Sequence, residues 1–235
     1  MKQMFTIFSQ RCGLFVRCIA LAVAVVTTLP LSTEAKPRNS IFQPILAEYG
    51  MVSAQEAVAT RIGVEILQRG GNAVDAAVAV GFALSVTLPR AGNLGGGGFM
   101  MVHEAATGET HAIDYREAAP AAATRGMFLD ATGEYDRTKA VGSHLSTGVP
   151  GTVAGLAMAL ELFGTMSLAE IINPALKLAS EGIAVTRGLA ESLTSRRKKK
   201  LARWPASREV FLKPDGSTYD VGEICKIFSN NITKG

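Results

Sequence analysis

Between residues 92 and 98 the chain reads Gly92-Asn93-Leu94-Gly95-Gly96-Gly97-Gly98, five glycines in seven positions. Such a run has two physical uses. Bare backbone N–H groups can cradle an anion, or the backbone can pass where a Cβ has no room or where only a left-handed conformation serves. A phosphate loop ends in Gly-Lys-Ser or Gly-Lys-Thr, whereas here Phe99 follows Gly98. A dinucleotide fingerprint needs a strand before its glycines and a helix after them. The flanking periodicity predicts the reverse order, so nucleotide binding is set aside. The run is expected to be a tight or closely packed backbone passage between a helix and a strand.

The flanks support that order. Ser53-Ala54-Gln55-Glu56 has the spacing of a capping box, with Val58, Ile62 and Ile66 following at helical intervals and Gly70-Gly71 as the stop. Asn72 is expected to cap a second helix from Ala73 to about Thr87, ahead of Pro89. Asp75 is its sole charge, in the first turn where the dipole favours an anion. A helix so rich in alanine and valine on every side belongs in a core. After the glycines, Phe99–His103 and Thr110–Tyr115 read as a β-hairpin whose turn uses Gly108. Residues 118–148 read mostly as loop. A helix is expected from Pro150-Gly151 to about Phe163. Ser167-Leu168-Ala169-Glu170 is a further capping box, opening a helix that Pro174 should kink and Gly182 should end. Pro214-Asp215-Gly216 predicts a turn between short strand-like flanks within Phe211–Tyr219. Helices and a hairpin in mixed order give an α+β class.

Composition settles broad classes. Hydrophobic residues are 48% and charged ones 19%, a balance that excludes intrinsic disorder. The formal charge of +4 leans on one run, Arg196–Lys200, which supplies five positive charges and reads as a solvated face or loop. A protein-wide basic surface is therefore absent, and no nucleic-acid partner is expected. Lys2, Arg11 and Arg17 precede an apolar stretch from Cys18 to Leu31, and Thr33-Glu34-Ala35 places small residues where a signal peptidase cuts. The stretch is shorter than the roughly 20 residues a membrane-spanning helix requires. Residues 1–35 are thus expected to be a signal peptide and the protein to be exported, to the periplasm or beyond. Cys12 and Cys18 would leave with it, so Cys225 remains without a disulfide partner.

Few residues invite chemistry. His103, His111 and His144 lack metal-ligand spacing, and His103 and His111 could face each other across the hairpin as solvated residues. No metal site or cofactor is expected. No Gly-x-Ser-x-Gly elbow occurs. Arg116 stands at a strand end beside Glu117 and has two readings. It forms an ordinary ion pair, or its planar fork holds a carboxylate in a way lysine cannot copy.

Four blocks, in order, carry a resemblance: Gly71-Asn72-Ala73-Val74-Asp75-Ala76-Ala77-Val78-Ala79, Gly92 to Phe99, Asp114-Tyr115-Arg116-Glu117, and Thr147-Gly148-Val149-Pro150-Gly151-Thr152-Val153-Ala154-Gly155, with Gly164-Thr165-Met166 beyond. Together they resemble the N-terminal part of the large subunit in the γ-glutamyltranspeptidase family, from about Met51 to about Ile224. The resemblance implies part of a four-layer αββα N-terminal-nucleophile hydrolase fold, incomplete in this chain, and an exported precursor that cleaves itself. A threonine freed at the N-terminus of the small subunit attacks the γ-glutamyl amide of glutathione or another γ-glutamyl compound, with its own amine as base. The acyl group then passes to water, an amino acid or a peptide, and an oxyanion hole stabilises the intermediates. Arg116 matches the family arginine that grips the α-carboxylate of the glutamyl group.

The family's nucleophile block, Thr-Thr or Thr-Ser followed by His, has no counterpart here. The Thr-Thr pair present, Thr27-Thr28, lies in the signal segment. The catalytic threonine is therefore expected beyond the end of this chain, in the missing small subunit, leaving the chain inactive and poorly soluble alone. Domains are expected as residues 1–35 (signal peptide), 36–224 (large-subunit segment) and 225–235, a tail that departs from the family as after a frame change or premature stop. Two alternatives stand beside this reading: a non-catalytic remnant or binding protein, and a fragment of a related amide acylase acting, for example, on a β-lactam side chain.

Overall fold

The computed structural model describes residues 46–92, 94–193 and 195–227, without the side chains of residues 195–197. The signal-peptide expectation lies outside these residues. Every described helix and strand belongs to the unit Ala47–Gly235.

Helix α1 (Ala57–Gln68) leads to α2 (Ala73–Thr87), the hairpin of β1 (Phe99–Glu104) and β2 (Glu109–Asp114), and a short α3 (Arg137–Gly142). Then come α4 (Thr152–Phe163), α5 (Leu168–Glu181), β3 (Ile183–Ala184), α6 (Arg187–Ser192), α7 (Ser195–Ala202), α8 (Pro205–Phe211) and β4 (Ile224–Cys225). Two antiparallel two-stranded sheets form among the described residues, β1 with β2 and β3 with β4. None of the described helices is long and apolar enough to cross a membrane.

Helix α2 is the centre of the main core, packed by α1, α4 and α5. Val78 and Ala83 are sealed from solvent, as are Ala59 of α1, Ala159 of α4 and Ile171 of α5. Small side chains let these helices approach closely. A Cβ on Gly63 would come within 2.7 Å of Val80 on α2. A second cluster gathers Val86, Ile183, Val185, Leu189, Leu193 and Cys225 around the β3–β4 pair. Burial pushes the Cys225 thiol up to about 11, which makes it a poor nucleophile.

The N-terminus of α2 is built as expected. The Asn72 carboxamide oxygen accepts from the N–H groups of Val74 and Asp75, and the Asp75 carboxylate accepts from the Asn72 N–H. The cap also works at long range. The Asn72 amide nitrogen donates to the carbonyl of Phe163, the last residue of α4. Fully buried Asp75 accepts from the Thr165 hydroxyl at 2.6 Å and from the N–H groups of Thr165 and Met166. Two nearby residues thus clamp the α4–α5 connection to the head of α2.

Other expectations needed correction. Ser53 does not cap α1: the N-cap is Glu56, without a side-chain cap bond. Val52 packs against Gly63 instead, so the chain arrives extended and the helix opens three residues late. The Pro-Asp-Gly turn is present, with Gly216 at positive φ. Neither flank is a strand, however: Phe211 ends α8, and residues 217–219 form none. The basic run lies in helix α7. Ser167 forms its capping box, and α5 continues through Pro174 to a Gly182 with φ of 93°.

Burial alone would raise the Asp75 carboxyl, but its Thr165, Asn72 and Met166 donors hold it below the ordinary carboxylate range. Stability from this group is therefore full above the unfolded value of about 3.9 and lost as pH falls through the folded value. Asp75→Asn should cost about 2–4 kcal/mol at neutral pH and flatten that acid dependence. Urea unfolding of the chain at sub-micromolar concentration, followed by circular dichroism across pH, checks both.

Candidate functional site

The glycine run, the end of the hairpin and the head of α4 converge on Tyr115, Arg116 and Glu117. The hairpin continues one pair beyond its strands, with the Tyr115 N–H donating to the Gly98 carbonyl at 3.0 Å and the Gly98 N–H returning the bond at 3.3 Å. Gly96 turns its carbonyl to the start of α4, where it accepts from the N–H groups of Gly151 and Thr152 at 2.9 and 3.0 Å. These are orphan donors of a helix whose N-cap, Gly151, has no side chain to offer. Ala118 and Val149 form an isolated antiparallel bridge that closes the passage on its other side.

Side chains are excluded there by lack of room. A Cβ on Gly97 would overlap the Tyr115 carbonyl oxygen and lie 2.7 Å from the Glu117 nitrogen. On Gly151 it would overlap the same carbonyl, and on Gly155 it would sit within the Tyr115 ring. On Gly98 it would meet that ring at 3.0 Å, and on Gly148 it would meet Glu117 Cβ at 3.0 Å. Gly95 to Gly98 are not among the glycines at positive φ. Close packing, rather than left-handed backbone, is the reason for glycine at positions 92, 97 and 98. Burial raises the phenol of Tyr115, which lies half-covered in the cradle.

Arg116 emerges from this rigid backbone with its side chain 61% exposed. Its N–H donates to the Asp114 carboxylate at 3.0 Å, its Nε donates to Glu117 at 3.1 Å, and its guanidinium carbon lies 5.9 Å from the centre of the Phe99 ring. The expected ion pair is therefore present, and it engages one of five N–H donors. The arrangement presents a solvent-facing cation at a strand end.

The histidines fall elsewhere. The register pairs Val102 with His111 and His103 with Thr110, so His103 and His111 point to opposite faces and do not face each other. His103 Nδ1 bonds the Thr110 hydroxyl at 3.0 Å. His111 stands beside Glu104 and Glu109 at the turn end of the hairpin. His144 packs edge-on against Trp204. The contact most clearly missed by sequence reasoning is that of Tyr115 with Gly155, which no local pattern encodes.

The family model for gamma-glutamyltranspeptidase matches residues 59–230. The chain is 46% identical over 207 residues to a glutathione hydrolase proenzyme of Escherichia coli, covering 85% of this chain and 36% of that protein. It is 42% identical over 204 residues to the glutathione hydrolase proenzyme of Bacillus subtilis, covering 85% and 34%. Among solved structures, the γ-glutamyltranspeptidase of Helicobacter pylori aligns with a TM-score of 0.74 at 40% identity, over 78% of this chain and 52% of that one. A cephalosporin acylase of Bacillus halodurans aligns at 0.64 with 27% identity, over 83% and 37%. The chain spans about a third of the length of the curated relatives named here.

Gly155→Ala forces a methyl group into the Tyr115 ring and should destabilise the chain by about 1–3 kcal/mol. Gly142→Ala, in a helix with nothing nearer than Thr138 at 4.0 Å, should leave stability unchanged or raise it slightly. Urea midpoints of the two variants provide the comparison.

Proposed function

The chain belongs to the γ-glutamyltranspeptidase family and represents the N-terminal part of its large subunit, and from that premise we propose that it supplies the glutamate-recognition wall of a glutathione hydrolase and γ-glutamyltransferase. The observation that carries this reading is Arg116, exposed at the end of a hairpin whose backbone the glycine cradle holds still. The α-carboxylate of a γ-glutamyl substrate replaces Glu117 as its partner. The planar fork binds both carboxylate oxygens, while the pair with Glu117, being exposed, contributes little and is easily exchanged.

Binding at Arg116 fixes the glutamyl group at the end remote from its scissile γ-amide. The nucleophilic threonine of the small subunit then attacks the γ-carbonyl carbon, its amine taking the proton, and the cysteinylglycine amine leaves. Water or an amino-acid amine attacks the acyl-enzyme in turn. The role of this chain is orientation: it converts a freely tumbling peptide into one whose γ-carbonyl faces the nucleophile. The partner is the small subunit, whose sheets cover the apolar side chains exposed here on β1 (Phe99, Met101) and α4 (Val153, Met158, Leu162). The leader at residues 1–35 exports the protein to the periplasm or beyond.

The likeness to a cephalosporin acylase favours a second reading, a fragment of an acylase acting on another amide. A cation at Arg116 suits a free amino-acid carboxylate, which speaks for the γ-glutamyl substrate.

The test grafts residues 51–224 into the Escherichia coli glutathione hydrolase in place of the matching segment. The chimera should process itself and hydrolyse a chromogenic γ-glutamyl anilide. Arg116→Lys in that background should raise KM about 10-fold or more, the loss of a bidentate charge-assisted bond. An unchanged KM contradicts the assignment.

A further inference from the structure

At the turn end of the hairpin, the end opposite Arg116, Glu104 and Glu109 form the last pair of the β1–β2 ladder. Like charges placed directly opposite repel, and here a third side chain answers them. His111 lies two residues beyond Glu109 on the same face, its Nε2 3.0 Å from Glu104 Oε2 and 3.7 Å from Glu109 Oε2. One ligand atom from each of the three residues falls within 4.8 Å of the others. The ring is held from behind by Phe163, whose centroid lies 5.0 Å away with the planes tilted by 37°. The Gly108 N–H donates to the Glu104 carbonyl at 2.8 Å, with Gly108 at positive φ, so the turn that brings the glutamates together is a bonded one.

We propose that Glu104, Glu109 and His111 form a binding site for a divalent d-block cation of the Zn²⁺ type, a site distinct from the glutamate receptor at Arg116. The donor set selects the metal. An imidazole nitrogen with two carboxylates suits zinc and its neighbours, whereas calcium and magnesium take oxygen ligands. Metal–ligand bonds of about 2.0–2.2 Å put neighbouring donor atoms about 3–3.5 Å apart. The two distances from His111 already lie near that spacing, so small rotations of exposed glutamates complete it. Three protein ligands leave the remaining positions to water. The ion joins Glu104 of β1 to Glu109 and His111 of β2, closing the hairpin at the end away from the glycine cradle. No short sequence pattern reveals this set, because the hairpin turn brings Glu104 across to Glu109 and His111.

Titration of the full chain with ZnCl₂ by isothermal titration calorimetry tests the site. One ion should bind, and His111→Ala and Glu104→Gln should each weaken it about 10-fold or more, at least the loss known for outer-shell partners. His103→Ala, on the opposite face of the same hairpin, should leave the affinity unchanged. Glu109→Gln, an exposed change that leaves the His111–Phe163 packing intact, gives a second loss-of-binding variant should His111→Ala misfold. Failure of the wild type to bind, or equal affinity in wild type, His111→Ala and Glu109→Gln, overturns the proposal.

Discussion

The structure turns on the absence of space around Tyr115. Its carbonyl, its ring and the following peptide occupy volume that side chains at 97, 151 and 155 would otherwise fill. Two pieces of chain arrive there with bare backbone: the glycine run and the head of α4. Once they do, the backbone groups satisfy one another, with Gly98 pairing with Tyr115 and Gly96 accepting from the two N–H groups that open α4. The consequence reaches the next residue. Arg116 takes its position from a backbone that has nowhere else to go, while its side chain remains in solvent.

A second node holds the scaffold behind the cradle. Asn72 and Asp75 cap α2 and, with the same side chains, tie down the end of α4 and the start of α5. Satisfying a buried carboxylate with four N–H and O–H donors is how a charge resides in an alanine-rich core at tolerable cost. Both nodes coincide with the blocks that carry the family resemblance, so those residues record architecture as much as chemistry.

Local chemistry was legible in the sequence and long-range contact was not. The Asn72 cap, the Ser167 box, the Gly182 stop and the hairpin over Phe99–Asp114 all follow from patterns a few residues long. The Ser53 box failed for the same reason, since its spacing matched while the packing of Val52 on Gly63 decided where α1 began. The three short helices α6 to α8 went unread because a basic run and one proline gave no apolar periodicity to follow. The glycine run was understood as a close passage, yet its partner could not be named, because Tyr115 and Gly155 lie 40 residues apart in sequence. For the candidate site, Arg116 and its ion pair were anticipated from neighbouring residues. The trio of Glu104, Glu109 and His111 was not, because it depends on hairpin register. The wrong pairing of His103 with His111 was a one-residue error of register, which moves a side chain to the opposite face.

If Arg116 recognises the glutamyl α-carboxylate, then removing either partner should make the other irrelevant. The direct measurement compares kcat/KM for a γ-glutamyl anilide and for the 4-aminobutyryl anilide that lacks only that carboxylate, in the chimera carrying residues 51–224 and in its Arg116→Ala variant. The expected result is a preference of about 10-fold or more for the γ-glutamyl substrate that collapses toward unity in the variant. A preference that survives Arg116→Ala undiminished would contradict the assignment of the carboxylate to this arginine.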